Sequence, residues 1–355
     1  MSRILCIGLG GVGTIAAYAL QTFNSDVEVV AVVRSDYEVI LKSGFTISSV
    51  DYGTRKGKES EENQRKTFTY RPSVVVNSIE EATLYGPYDY IVVSTKVTQN
   101  HPINIWDEVS SKGHSLLLPE KKTSIVLMQN GINPEIYWKD LKQQVHLISG
   151  VSYISSTRTN TLVTQYGRDL VKFGLFDETE DKHHLKRFHQ LYSNEYNHAS
   201  VDHNVALTRW RKLLWNASFN TVCCLTNSDV GGLFKLNDNY SFIDNVIREL
   251  MKEVQFVANT DLELNHKTQE GRILDEEIPQ LLGFTEKSNA MDSYVPSMLV
   301  DYRNGRPIEF EVILANIIDI HKKNLPEHDL KISIPYLNFL FYLLAAVQQK
   351  LTSNN

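Results

Sequence analysis

Residues 4–34 read ILCIGLGGVGTIAAYALQTFNSDVEVVAVVR: a β-branched run, a glycine turn, a helical run and a second β-branched run, in that order. The first run, 4–8, predicts a strand, 14–23 a helix and 27–33 a second strand. Between strand and helix stands Gly8-Leu9-Gly10-Gly11-Val12-Gly13, which satisfies G-x-G-x-x-G. One glycine makes the tight turn, one lets backbone approach a pyrophosphate, and one lets the helix pack closely on the strand. The N–H groups and positive dipole at the helix start then hold the anion. A glycine-rich turn can be merely structural, but strand, motif and helix in this order point to a dinucleotide site.

The end of the second strand bears on which dinucleotide. A site for NAD usually places Asp or Glu there to hydrogen-bond the ribose 2′-OH, whereas this chain runs Val32-Val33-Arg34. A guanidinium can fork onto a 2′-phosphate that a carboxylate would repel, so Arg34 favours NADPH over NADH. Asp36 lies close enough in sequence to play the acidic part instead, with Arg34 an ordinary exposed cation.

Outward from this unit the first third keeps alternating short apolar runs with helical stretches, with further strands expected at 90–94 and 124–129, the pattern of a parallel sheet covered on both faces. Residues 51–71 (DYGTRKGKESEENQRKTFTYR) break it with a polar run that reads as a solvated loop or insertion with local mobility. From about residue 204 the periodicity becomes helical, over 207–226, 241–260 and 308–322. The expectation is an α/β Rossmann domain over 1–200, an all-α domain over 201–355, a boundary in the polar segment 193–204, and a cleft between the two domains.

Composition narrows the class. With 42% apolar and 22% charged residues the chain has the make-up of a globular protein. A formal charge of −6 with no concentrated Lys/Arg stripe speaks against nucleic acid and for small-molecule partners. No apolar run approaches a membrane span and no signal-peptide pattern opens the sequence, so the cytosol is the expected compartment. Cys6, Cys223 and Cys224 form no disulfide framework, and no Cys/His spacing suggests a metal site.

The chain resembles the 2-dehydropantoate 2-reductases (ketopantoate reductases) along nearly its whole length. After the glycine turn and Arg34 the resemblance rests on Ser94-Thr95-Lys96-Val97-Thr98-Gln99, Gln129-Asn130-Gly131 and Gly150-Val151-Ser152. It continues in Arg211-Lys212-Leu213 with Asn216 and Asn220, then Pro296-Ser297-Met298-Leu299 with Asp301, Gly305-Arg306-Pro307 and Glu309. The order of these motifs is specific for the superfamily and less so for its substrate. It implies a C-terminal domain like that of 6-phosphogluconate dehydrogenase, NADPH as cofactor and a 2-oxo acid as substrate, ketopantoate first, which would place the chain in pantothenate biosynthesis. Another oxo acid or ketone, or a non-catalytic NADPH sensor, are the alternatives. A helical domain of this kind also offers a surface for a homodimer.

By this resemblance Lys212 is the general acid, Glu309 lies near the nicotinamide ribose and substrate hydroxyl, and Lys96 and Asn130 approach the cofactor. Gln99 serves cofactor or substrate, Asn216 and Asn220 contact substrate, and Ser297 binds its carboxylate. The chemistry of each residue type agrees. An ammonium donates a proton while stabilising negative charge, and desolvation lowers its pKa toward neutrality. On a regular α-helix, Lys212, Asn216 and Asn220 fall within about 80° of one another, a polar line among apolar neighbours. The plainer readings are an asparagine ladder capping neighbouring helices, an N-cap at Ser297, and a solvated first-turn carboxylate at Glu309 on a helix starting at Ile308. Departures from the family pattern are the long polar segment after residue 50, the Tyr294-Val295-Pro296 sequence before Ser297, and bulky Trp215 and Phe219 beside the asparagines.

Overall fold

The computed structural model describes residues 1–52, 65–98, 105–120, 122–177, 180–266, 271–289 and 294–353. It separates into two compact units, the first Met1–Lys96, Pro102–Gln129 and Pro134–Val205, the second Val97–His101, Asn130–Asn133 and Ala206–Asn355. The second unit thus takes in two short segments from the first half of the sequence, which reading the chain in order did not anticipate.

The first unit is built on strands β1 (Ser2–Ile7), β2 (Val27–Val32), β3 (Phe45–Ser49), β4 (Lys66–Tyr70), β5 (Val74–Val76), β6 (Tyr90–Val93), β7 (Ser124–Leu127), β8 (His146–Ser152), β9 (Ser156–Thr159), β10 (Leu162–Gln165), β11 (Leu170–Leu175) and β12 (His198–Val201). Eight form one sheet in the order β12-β11-β8-β7-β6-β1-β2-β5. Its pairs are parallel except β8 with β11. Beyond the Arg3 and Glu28 pair near their starts, β1 and β2 are wholly apolar because both faces are covered. Ile4, Cys6, Val29 and Ala31 enter one core, and Leu5, Ile7, Val30 and Val32 the other. Each Ile, Leu or Val among them contributes on the order of 1.5–3 kcal/mol through burial.

A second sheet, β4-β3-β10-β9, lies outside the expected pattern. Its first strand, Lys66–Tyr70, falls in the stretch read from sequence as a polar loop, and pairing with β3 makes it a strand. Its exposed Lys66, Thr67 and Thr69 carry the polar character that hid it. Residues 53–64, where mobility was expected, lie outside the described residues. The expected boundary segment likewise contains a strand, β12, paired to β11.

The second unit is helical. The run expected at 207–226 is continuous from Val205 to Thr226, but its middle, Asn216–Asn220, is a π turn. Further π turns occur at Ile243–Ile247, ahead of helix Arg248–Asn265, and at Glu311–Ala315, ahead of helix Asn316–Asn324. Such turns place one extra residue in the coil and re-aim the helix beyond it, and they concentrate at functional positions. Among the described residues no helix is long and apolar enough to cross a membrane.

Candidate active site

In the first unit the glycine turn follows β1 directly, and the helix Gly11–Thr22 begins inside the motif, three residues earlier than the sequence suggested. Gly8 has φ +95°, a region that favours glycine, and a Cβ there would meet Thr95. At Gly13 a Cβ would strike the carbonyl of Gly8 and the hydroxyl of Ser94, so this glycine lets helix and strand approach. Gly10, the N-cap, is different: a Cβ there would meet nothing within 4 Å. That open face, with the N-terminus of a 12-residue helix behind it, fits a dinucleotide pyrophosphate. Leu9 and Val12 are the turn's apolar members, Leu9 buried and Val12 half-buried.

The family motif after β6 is brought to this turn. Ser94 Oγ donates to the Gly8 carbonyl at 2.7 Å, and Gln129 Nε2 donates to the Thr95 carbonyl at 2.7 Å. Lys96 is exposed just beyond. Gln99 lies outside the described residues. Arg34 is exposed two residues past β2.

Asp36, the acidic rival to Arg34, sits in the left-handed region at φ 62° and is ion-paired at 2.8 Å to Arg158. Sequence reasoning missed Arg158, which lies on β9 of the unforeseen sheet. Nothing in the local pattern around it signals a nucleotide site.

In the second unit, Asn130-Gly131 forms a bend that helices hold from several sides. Gly131 has φ +84°, and a Cβ there would fall on the backbone of Val312. Ile132 N–H donates to the Val312 carbonyl at 2.9 Å, Arg209 to the Gly131 carbonyl at 3.2 Å, and Asn316 to the Ile132 carbonyl at 2.8 Å. The bend is therefore a built part of the helical unit.

On it Asn130 joins two distant residues. Lys212 Nζ donates to Asn130 Oδ1 at 2.8 Å, and Asn130 Nδ2 donates to Glu309 Oε2 at 3.1 Å. Burial pushes the Lys212 ammonium down to about 8, the Arg209 guanidinium adds to the fall, and the Glu309 carboxylate partly offsets it. An amine in that range exchanges protons near neutral pH. Glu309 is not the solvated first-turn carboxylate of the plainer expectation: it is 4% exposed, and the helix begins after it, at Phe310.

The asparagines divide. Asn216 and Asn220 are both buried, but the π turn between Lys212 and Asn220 alters the regular polar line expected. Asn220 Oδ1 accepts the Met298 N–H at 3.0 Å, the capping role weighed as the plainer reading. Ser297 is the first helical residue and not the N-cap, which is Pro296 and supplies no side-chain cap; the Ser297 side chain is exposed. Asn220 thus supplies across space the acceptor that an N-cap serine would have supplied locally. Beside Asn216, Trp215 stacks on Phe219 at 5.6 Å and lies 5.8 Å from Tyr294.

Arg211 makes a two-pronged ion pair with Glu277 at 2.7 and 2.8 Å. Cys223 and Cys224 are buried, and burial pushes both thiols up to about 12. Among the described residues no group of three or more His, Cys, Asp or Glu could hold a metal ion.

Two family models match the chain, the ketopantoate reductase PanE/ApbA domain over residues 4–178 and its C-terminal domain over 204–348. The chain belongs to the ketopantoate reductase family. It is a nicotinamide-dependent oxidoreductase of that type, with a Rossmann α/β unit followed by a helical one. An uncharacterised protein of Saccharomyces cerevisiae is 35% identical over 99% of this chain and 95% of its own length. A 2-dehydropantoate 2-reductase of a Nostoc species is 26% identical over 95% of this chain and 92% of its own. The crystal structure of 2-dehydropantoate 2-reductase from Methylococcus capsulatus superposes with a TM-score of 0.76 at 24% identity, covering 98% of this chain and 97% of that one.

Proposed function

We propose that the protein reduces a 2-oxo acid to the 2-hydroxy acid with NADPH, with ketopantoate to pantoate the first candidate and a place in pantothenate biosynthesis as its consequence. The observation that carries this reading is the Lys212–Asn130–Glu309 chain of hydrogen bonds, with an ammonium brought down to about 8 at one end. NADPH, held at the glycine turn, would supply a hydride for the carbonyl carbon. The carbonyl π pair moves onto oxygen, and Lys212 gives that oxygen its proton and becomes a neutral amine. Asn130 holds the ammonium in place, and Glu309 favours its charged form. The open Gly10 face receives the pyrophosphate, Arg34 the 2′-phosphate, and Lys96 approaches the cofactor. Asn216 and Ser297 contact the substrate; Asn220 keeps the helix that carries Ser297 in position.

A second reading changes only the acceptor. Trp215, the chain neighbour of Asn216, stacks on Phe219 and lies 5.8 Å from Tyr294, and an aromatic cluster on this helix favours a 2-oxo acid with a bulky or aromatic substituent. NADPH oxidation by the purified protein against aliphatic and aromatic 2-oxo acids separates the two. Turnover of ketopantoate at the highest kcat/KM supports the first, and preference for an aryl acceptor the second. Tight NADPH binding without turnover on any acceptor refutes both and leaves a cofactor sensor.

A further inference from the structure

Arg158 ties together two parts of the nucleotide-binding unit that the family motif leaves separate. Its Nη1 donates to the Leu9 carbonyl, inside the glycine turn, at 2.5 Å. Its Nη2 faces the Ser35 carbonyl and hydroxyl at 3.2 Å each and Asp36 Oδ2 at 2.8 Å. Nε is held by the Asn160 carbonyl at 2.7 Å, and the guanidinium lies 5.6 Å from the centre of the Phe45 ring. The same strand presses on the turn from its backbone, since a Cβ on Gly11 would fall on Ser156. The Arg158 side chain is 12% exposed against 35% for Asp36, so the arginine is fixed by its partners while the carboxylate reaches solvent.

That arrangement bears on cofactor choice. A carboxylate just beyond the second strand holds the 2′-OH of NAD and repels the 2′-phosphate of NADP. Here such a carboxylate exists two residues after Arg34, and a guanidinium from a different sheet is spent on it. We propose that Arg158, itself fixed for the task by the Leu9 and Ser35 carbonyls, is a positioning residue that sets the preference for NADPH by neutralising Asp36. The inference rests on the NADPH reading given above and adds to it a residue that never needs to touch the cofactor.

The test is equilibrium binding of NADPH and NADH, followed by nicotinamide fluorescence, to the wild type and to the Arg34→Ala, Arg158→Gln and Asp36→Asn/Arg158→Gln variants, with thermal melts to confirm folding. The wild type is expected to favour NADPH. Arg158→Gln should narrow that preference by roughly tenfold through weaker NADPH binding, the size expected for one uncompensated charge at a solvated site. The double variant, which lacks the carboxylate as well, should recover most of the loss; a merely structural arginine would not be rescued this way. An unchanged ratio in Arg158→Gln, or no recovery in the double variant, overturns the proposal. If Arg34→Ala lowers the ratio while Arg158→Gln does not, the NADPH reading survives and only the role of Arg158 falls. A wild type that favours NADH sinks both. Should Arg158→Gln fail to fold, Arg158→Lys loses the fork but keeps the charge beside Asp36 and should hold the ratio within about threefold; loss of preference in folded Arg158→Lys overturns the charge account.

Discussion

Asn130 accepts a hydrogen bond of 2.8 Å from the Lys212 ammonium although 82 positions separate the two residues in the chain. The same amide donates to Glu309, so one asparagine aligns a cation and a carboxylate that would otherwise meet directly or drift apart. An amide spacer keeps the lysine partly destabilised as a cation, which a direct ion pair would undo.

The first expectation comes from that amine. A general acid must be protonated, so kcat/KM for reduction should be level below pH 8 and fall as pH rises through about 8. Oxidation of the hydroxy acid, which needs the neutral amine, should rise over the same range. Lys212→Ala should lower kcat by roughly 10²–10⁴ while leaving NADPH affinity intact. Because Glu309 raises the lysine's pKa, Glu309→Gln should move the alkaline limb to lower pH. A limb that stays put in Glu309→Gln would remove the carboxylate from this coupling.

Two glycines should respond in opposite ways to alanine. Gly10→Ala adds a methyl group to open space, so the melting temperature should hold while NADPH affinity falls. Gly131→Ala combines φ +84° with a collision on Val312 and should cost at least about 1–3 kcal/mol in urea denaturation. Its activity should fall further than its stability, since Asn130 is carried on the same bend. Equal melting temperatures for the two variants would contradict this assignment.

Asn220 and Asn216 should also separate. Asn220→Ala takes away the acceptor for the Met298 N–H and should lower stability by about 1–2 kcal/mol with no ligand present. Asn216→Ala should act chiefly on KM for the oxo acid. The measurement is a thermal melt of each apo variant beside its steady-state kinetics. A raised KM with an unaltered melt for Asn220→Ala would make it a ligand residue and not a cap.

A pH effect on folding is expected from Asp169, buried in the first unit. Burial raises its carboxyl from the ordinary 3.8 to about 6, although the Tyr52 and Tyr192 hydroxyls donate to it at 2.5 and 3.0 Å. The folded state therefore binds the proton more tightly than the unfolded state. The stabilisation is complete below about pH 4 and is lost as pH rises through 6, by at most roughly 3 kcal/mol. Unfolding free energies of the wild type minus those of Asp169→Asn should decline between pH 4 and 6. A difference that is flat or rises with pH would mean the carboxylate is stabilised in place.

Features that depend on neighbours in the chain are legible in the order of the amino acids. β1, the glycine turn and the helix after it are legible because turn chemistry and apolar period act over a few residues, and the second half reads as helical for the same reason. Lys212, Asn130 and Glu309 could be named from ordered motifs, but only folding decided that Asn130 belongs with the helices and links the other two. That outcome depends on the Gly131 bend fitting against Val312, a long-range steric fact. Tertiary structure alone also decided the second sheet, whose polar strand Lys66–Tyr70 exists because β3 offers it backbone partners. It likewise brought Arg158 to Asp36, and the capping of Met298 by Asn220. Each of these is a hydrogen bond or charge pair between residues tens of positions apart or more, which no local propensity encodes.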